Sequence, residues 1–288
     1  MTRERIALIA GVGAGLLMTL GSAFGQSTFG SILGTVQDPS GAAVVLCKVT
    51  IHNKGTSMQR ATITDQTGNY IVTNLDPGNY EVSFDAPGFQ PTVAEVELLS
   101  RQTARIDGHL PVASQTESVN VEVAAAPVIN TEVSNLSETK QGRELVDLPV
   151  AITTRGTGST SPLSTLTTQP GVQTDAAGGI SVSGAKPSML SMSIDGISSM
   201  GPRTAGPLVE MFPSFYSIAE IKVSEVNNTA EYGGISDITT VSKSGTNSYH
   251  GGVYENLQNK ELTARNEFSA IKPKLIMNDF GAYFGGPI

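Results

Sequence analysis

Apolar and polar residues alternate in short runs along much of the chain, and clusters of turn residues separate these runs. In Tyr80–Phe84 and in Ala104–Leu110, every second residue is apolar or small. This period of two is typical of strands with one buried face. Asp38-Pro39-Ser40-Gly41 and Asp65-Gln66-Thr67-Gly68 are typical turns, because Asp caps its own turn and Gly accepts a positive φ. Residues 28–112 are therefore predicted to form a β-sandwich.

The same alternation returns further along the chain. Ile218–Val223 alternates apolar and polar residues, which predicts a half-buried strand. Ile194-Asp195-Gly196-Ile197 predicts a strand that ends in a tight turn. Tyr249–Leu257 alternates in the same way, and Asp279–Ile288 is a similar run rich in Phe and Tyr. The chain is thus predicted to be mainly β, with few long helices.

The first 25 residues have the pattern of a targeting signal. Arg3 and Arg5 precede the apolar run Ile6–Leu20, and the small residues of Gly21–Gly25 follow it. These are the three parts of a secretory signal peptide. The apolar run is shorter than the roughly 20 residues that a membrane-spanning helix needs. Residues 1–25 are predicted to direct export and to be removed, instead of anchoring the chain.

Composition narrows the class of protein. The 288 residues carry a net charge of −8, and only 15% of them are charged. Such a chain has too little basic charge to neutralise phosphates, which argues against nucleic-acid binding. Its single cysteine, Cys47, permits no internal disulfide, and its strand position predicts a buried, inert thiol. This low content of charged residues is typical of a β-rich secreted or envelope protein.

No constellation of catalytic residues is visible in the sequence. There is no His-Glu-x-x-His, no Gly-x-Ser-x-Gly and no phosphate-binding loop, and the three histidines lie far apart. Isolated acidic residues in turns are explained by capping. We therefore predict no enzymatic activity, no catalytic residue, no cofactor and no metal site.

Residues 28–112 resemble a known family at several motifs. Asp65-x-x-Gly68-x-Tyr70 and Leu75-x-Pro77-Gly78-x-Tyr80 are similar to strings of the carboxypeptidase regulatory-like domain, a prealbumin-like sandwich. The resemblance implies a domain without catalysis that often stands at the N-terminus of outer-membrane transporters. Related sandwiches are described as carbohydrate-binding-like, but the aromatic residues here are predicted to be core instead of sugar platforms: Tyr70, Tyr80, Phe84 and Phe89.

Residues 113–143 are predicted to be a linker. The segment is rich in Ser, Thr, Glu, Ala and Val, and it contains one alternating run that could add to another protein's sheet: Glu117, Ser118, Val119, Asn120, Val121, Glu122 and Val123. In transporters that carry such an N-terminal domain, the TonB-contacting box lies between the sandwich and the plug. The resemblance implies a TonB-type periplasmic energy-coupling protein as partner. An ordinary linker or a first plug strand stays open as an alternative.

Residues 144–246 resemble the plug domain of TonB-dependent receptors, most closely the Oar-like branch. The motifs follow the plug's order: Asp147-Leu148-Pro149, Pro170-Gly171-Val172, Met192-Ser193-Ile194-Asp195-Gly196, Ala230-Glu231-Tyr232-Gly233 and Val241-Ser242-Lys243-Ser244-Gly245. Asp237-Ile238-Thr239-Thr240 departs from the pattern, since a more apolar strand is usual there. An α+β fold is implied. Met200 and Arg203 are candidates for a plug loop that faces the substrate, although core packing would also explain the methionines.

Residues 247–288 resemble the start of the Oar-like barrel, with its first two transmembrane strands. A bacterial barrel needs at least about eight strands of roughly 10 residues, so this region is too short to form a pore. The chain is thus expected to be a fragment of a longer receptor. The whole is predicted to be mainly β: a prealbumin-like β-sandwich, an α+β plug and the first two strands of an incomplete transmembrane β-barrel.

Two functions are consistent with these features. In the first, the chain is the N-terminal portion of a TonB-dependent receptor in the outer membrane, with a gating plug and an unidentified substrate. In the second, it is a stand-alone secreted or periplasmic binding module. The alternating strands after residue 246 favour the receptor, because paired amphipathic strands would promote aggregation of a soluble module.

Overall fold

The computed structural model describes residues 27–113, 122–123, 134–147, 154–155, 159–160, 162–174, 179–201, 206, 208, 214–228, 232–262, 264–265, 268, 270–272, 274 and 276–287. Within these ranges the protein is mainly β, as predicted, and its α-helix content is one six-residue helix. The described chain contains a sandwich, a second mixed sheet and a long hairpin.

The sandwich consists of two sheets, and its strands are β1 (Gly30–Gln37), β2 (Lys48–Asn53), β3 (Gln59–Ile63), β4 (Asn69–Leu75), β5 (Gly78–Asp85), β6 (Thr92–Leu98), β7 (Thr103–Arg105) and β8 (Gly108–His109). One sheet has the order β4-β1-β7, with β8 also paired to β1, and the other contains β3-β2-β5-β6. Every second residue of β1 and β5 is buried, as the alternation predicts.

The aromatic residues of the sandwich lie in its core. Tyr70, Tyr80 and Phe84 are each at most 5% exposed, and Phe89 packs against the same cluster. The Tyr70 hydroxyl donates a hydrogen bond to the Ile106 carbonyl, so its polar end is satisfied inside the fold. These rings are therefore packing residues and form no exposed platform for a sugar.

The second strand of the sandwich begins later than the alternation suggests. The sequence favours a strand from Val44 to His52, whereas β2 starts at Lys48. Leu46 has a left-handed backbone (φ 57°), which interrupts the strand. The buried Thr64 hydroxyl compensates, because it accepts from the Cys47 amide at 2.9 Å and donates to the Val44 carbonyl at 2.7 Å.

The chain then forms a two-residue strand, a helix and several short strands. These elements are β9 (Glu122–Val123), β10 (Leu136–Gln141), α1 (Gly142–Asp147), β11 (Thr154–Arg155), β12 (Ser159–Thr160), a 3-10 helix (Pro162–Thr168), β13 (Val172–Thr174) and β14 (Ile180–Val182). β9 pairs with β6 of the sandwich, and β10 belongs to the second sheet. The second sheet thus begins at Leu136, within the segment that the sequence assigns to the linker.

The remaining strands complete the second sheet and form the hairpin. They are β15 (Leu190–Ile194), β16 (Ile197–Ser198), β17 (Ile218–Val226), β18 (Ser236–Ser242), β19 (His250–Asn259) and β20 (Ile276–Gly285). Two short 3-10 helices, Pro187–Met189 and Phe215–Ser217, directly precede β15 and β17. The second sheet has the order β10-β17-β18-β15-β16. Asp195 and Gly196 both have positive φ in the turn between β15 and β16, as their sequence predicts.

The two faces of the second sheet differ in chemistry. One face packs on an apolar core that includes Ile221, Val223 and Ile238. On the other face, β17 presents Glu220 and Lys222, and β18 presents Asp237 and Thr239. These polar residues are at most 4% exposed. A buried polar face requires partners, and the sandwich supplies them.

Candidate functional site

The predicted coupling segment lies partly within the described residues. Glu117, Ser118, Val119, Asn120 and Val121 fall outside them, while Glu122 and Val123 form β9. This strand runs parallel to β6, with Glu122 opposite Val93 and Val123 opposite Ala94. The described end of the segment is therefore extended and already paired to the edge of the sandwich.

Of the two predicted substrate-facing residues, Met200 lies within the described part of the chain. Met200 is half-buried and packs against the apolar core of the second sheet. Arg203 lies outside the described residues. The position of Met200 agrees with core packing, which is the other explanation that the sequence left open for the methionines.

The turn between β6 and β7 joins the sandwich to the second sheet. The Ser100 amide donates to the Glu220 carboxylate at 2.7 Å. The Lys222 ammonium donates to the carbonyl oxygens of Ser100 at 3.2 Å and of Arg101 at 3.3 Å. Since Glu220 and Lys222 are two residues apart on β17, both side chains leave the same face of the sheet and reach one turn.

Arg101 lies at the centre of this contact. Its guanidinium donates to the Asp237 carboxylate and to the Thr239 hydroxyl on β18. The same group stands over the Tyr232 ring, 3.1 Å from the ring centroid. The side chain of Arg101 is 10% exposed and that of Asp237 is fully buried. We name this set the Arg101 cluster, and its members are Arg101, Glu220, Lys222, Tyr232, Asp237 and Thr239.

The charges of the cluster compensate one another in a buried setting. Arg101 and Lys222 carry two positive charges against the two carboxylates of Glu220 and Asp237. Burial, together with the nearby Arg101 charge, lowers the pKa of Lys222 from 10.5 to about 8. Burial also raises the pKa of Glu220. Both shifts reflect the cost of removing a charge from water.

The sequence carries one signal for this contact, although that signal does not by itself identify a site. Asp237 and Thr239 stand in the strand where the plug pattern has apolar residues. The structure explains the departure, because these two side chains face Arg101 instead of an apolar core. Arg101 itself could not be found from the sequence, since an arginine in a turn is ordinarily exposed.

The hairpin has two different faces. Its inward face contacts the 3-10 helix before β17: the Tyr254 ring stacks on Tyr216 at 3.8 Å between centroids, and the Tyr254 hydroxyl lies 2.7 Å from Ser214 Oγ. Tyr216 also donates to Asn256 at 3.1 Å. Its outward face is largely apolar and exposed: Val253 is 87% exposed and Phe280 is 77% exposed.

Three further features of the described residues bear on the kinds of site that they can form. In those ranges, no group of three or more His, Cys, Asp or Glu side chains is placed to hold a metal ion. None of the helices found there is long and apolar enough to cross a membrane. Cys47 is fully buried, and burial raises the pKa of its thiol, as for the inert cysteine that we expected.

Comparison with solved structures gives only partial likenesses. The TIE protein of Bacillus anthracis is 17% identical over 30% of this chain and 17% of its own, with a TM-score of 0.27. Hydroxyquinol 1,2-dioxygenase from Pseudomonas putida DLL-E4 is 9% identical over 31% of this chain and 58% of its own, with a TM-score of 0.26. Likenesses this weak have no bearing on function.

Comparison by sequence is more informative. Residues 31–111 match the carboxypeptidase regulatory-like domain, and residues 241–288 match an outer membrane beta barrel domain. The TonB-dependent transporter Oar of Myxococcus xanthus is 28% identical over 96% of this chain and 27% of its own length. The chain thus spans about a quarter of the length of that relative. These three findings agree that the chain is similar to part of a TonB-dependent outer-membrane receptor.

Proposed function

We propose that this chain supplies the sandwich, the plug and the first barrel hairpin of a TonB-dependent outer-membrane receptor that transports a substrate. In this proposal the second sheet is the core of the plug, and residues 117–123 contact a TonB-type periplasmic protein. The predicted signal peptide directs export. The similarity to a TonB-dependent transporter and the outer membrane beta barrel match support this assignment and an outer-membrane location.

The observation that carries the proposal is the two-faced hairpin. Each strand has ten residues, which is the length that a tilted transmembrane strand requires. Its outward face presents Val253, Phe280 and Phe284, as a lipid-facing surface would. Its inward face places Tyr254 and Asn256 against Tyr216, in the 3-10 helix that precedes β17 of the second sheet. This is the arrangement expected of barrel strands that enclose a plug.

Energy coupling in this proposal uses strand pairing. β9 is held at the edge of the sandwich by parallel pairing with β6, at Val93 and Ala94. An extended segment in this state can exchange one partner strand for another without a change of its own backbone conformation. The periplasmic partner would pair with residues 117–123 and pull, and the plug would rearrange to admit the substrate.

The first test addresses the hairpin. The whole chain is reconstituted in lipid vesicles with a fluorescent probe at Val253→Cys or, as the matched control, at Gln258→Cys on the inward face of β19. A quencher dissolved in the lipid is expected to quench the probe at position 253 and to leave that at position 258 bright. Equal quenching by a water-soluble agent at both positions would favour the stand-alone binding module.

The second test addresses coupling. Val119→Cys and Val121→Cys variants of the whole chain are mixed with the periplasmic domain of the TonB-type protein, which carries one cysteine. Disulfide cross-links are expected at both positions. Ser40→Cys, on an exposed turn of the sandwich, is the control and should form none. If the three variants cross-link to the same extent, residues 117–123 are not the coupling segment.

A further inference from the structure

We propose that Arg101 is a latch that holds the sandwich docked on the second sheet, and that Asp237 is its partner. The mechanical role of this latch rests on the proposed function, whereas the docking itself does not. Within the described residues, the apolar core of the sandwich and that of the second sheet are separate clusters. The two cores therefore do not merge, and other contacts must keep them together.

Among the described residues, those contacts include several polar links. Besides the Arg101 cluster, the Tyr232 hydroxyl donates to the Ser27 carbonyl at 3.2 Å, and Gln141 donates to the Glu97 carboxylate at 3.1 Å. The Asn247 amide donates to the Gly55 carbonyl at 2.9 Å, and the Asn247 side chain donates to the Ser57 hydroxyl at 2.9 Å. An open groove of about 1370 Å³ runs along the contact and is lined from both sides. A contact with so much open space is held by specific links and not by continuous apolar packing.

Arg101 has the geometry that a latch needs. Its backbone is left-handed (φ 55°), which is uncommon for a residue other than glycine. The Arg101 amide donates to the Thr28 carbonyl at 3.2 Å, so the turn is tied to the sandwich. The guanidinium leaves that turn and ends on Asp237, whose other oxygen accepts from Ser191 at 2.6 Å. One side chain thus connects the sandwich to β18 and, through Asp237, to β15.

The latch changes how a pull would reach the second sheet. The chain leaves the sandwich after residue 112 and enters the sheet at β10, which is an edge strand. Without the contacts of the Ser100–Arg101 turn, a pull between these points would load β10 first. With the latch closed, the sandwich transmits the same pull to β17 and β18, which are interior strands of the sheet. The sandwich and the sheet therefore act as one unit until the buried Arg101–Asp237 pair separates.

The test measures how often the two parts are docked. Ser57 of the sandwich contacts Asn247, which follows β18. The Asn247 Nδ2 atom lies 2.9 Å from Ser57 Oγ. In the whole chain in detergent, the rate of disulfide formation between Ser57→Cys and Asn247→Cys reports docking, because the native Cys47 is fully buried. Arg101→Ala is expected to slow this reaction about tenfold, since it leaves Asp237 buried without its partner.

Controls separate the latch from a general loss of structure. Arg105→Ala removes an exposed ion pair with Asp107 inside the sandwich and should leave the rate unchanged. Arg101→Lys should give an intermediate rate, because lysine keeps the charge but not the planar fork. Circular dichroism checks folding, and Arg101→Gln is used if the alanine variant does not fold. Equal rates for Arg101→Ala and the parent chain would overturn the proposal.

A double-mutant cycle identifies the partner. If Asp237 is the partner, Arg101→Ala combined with Asp237→Ala should slow the reaction no more than the worse single substitution. Fully additive effects would overturn the pairing. The two experiments can fail separately. If Arg101→Ala slows disulfide formation but no TonB cross-link forms, the latch is supported and the proposed function is contradicted. If disulfide formation is unchanged but the cross-links form, the proposed function is supported and the latch is contradicted.

Discussion

Replacing Lys222 by methionine tests whether its buried ammonium group lowers stability at neutral pH. Lys222 is 4% exposed, and its pKa falls from 10.5 to about 8 on folding. Between these two pKa values the unfolded chain holds a proton that the folded chain has released, so stability rises with pH. The full difference corresponds to about 3 kcal/mol, and about 2 kcal/mol of it should be recovered by roughly pH 9.5.

The assay compares the two chains at several pH values. Pulse proteolysis across a urea series, from pH 7 to pH 9.5, measures the free energy of unfolding of the second sheet, which its fragments distinguish from the sandwich. The free-energy difference between the native chain and Lys222→Met should grow in favour of the native chain over this range. Higher pH is avoided, because burial raises the pKa of Tyr80. The unfolded chain then loses the tyrosine proton before the folded chain does, which lowers stability as free tyrosine ionises.

Lys48→Met is the matched control, since Lys48 is an exposed lysine on β2. It should leave the pH dependence of stability unchanged. If the stability of Lys222→Met and of the native chain changes with pH in the same way from pH 7 to 9.5, burial of the Lys222 ammonium group does not lower the stability of the native chain.

Two further predictions concern packing. Phe84 is 1% exposed and Phe280 is 77% exposed, so Phe84→Ala should lower the free energy of unfolding by about 3–5 kcal/mol, and Phe280→Ala by less than about 0.5 kcal/mol; similar losses in urea titrations would contradict the assignment of the core. A Cβ on Gly34 would lie 1.9 Å from the Ile106 carbonyl oxygen, whereas one on Gly206 meets nothing within 4 Å. Gly34→Ala should therefore lower the thermal midpoint markedly and Gly206→Ala should not, and an unchanged midpoint for both would show that β1 and the segment after β7 can separate.

The local pattern of apolar and polar residues predicts a strand well where one face of that strand is more buried than the other. The alternation in β1, β5 and β19 matches the alternation of their more buried and more exposed positions. The half-buried strand predicted from Ile218–Val223 is wrong, because both faces of β17 are covered and Glu220 and Lys222 are buried. The Asp195-Gly196 turn also followed from sequence, because few residues adopt its positive φ values. Such features depend on residues that are neighbours in the chain, and so they can be recognised without a structure.

The start of β2 could not be predicted in the same way. Val44–His52 has the composition of a continuous strand, but Leu46 is held left-handed while Thr64 bonds the backbone on either side of it. Thr64 is 17 residues from Cys47 in sequence. A long-range side-chain contact therefore overrode the local preference.

The sequence by itself determined the mainly β character, the sandwich with its regulatory-like motifs, and the two-faced strands of the hairpin. Only the tertiary structure decided that Arg101, Glu220, Lys222 and Asp237 meet. These residues come from β17, β18 and a turn more than 100 positions earlier, and each would be an ordinary surface charge if its strand stood alone. A buried charge is compensated only when a partner of opposite charge lies next to it. Which residues become neighbours in this way depends on the fold and not on any local pattern in the sequence.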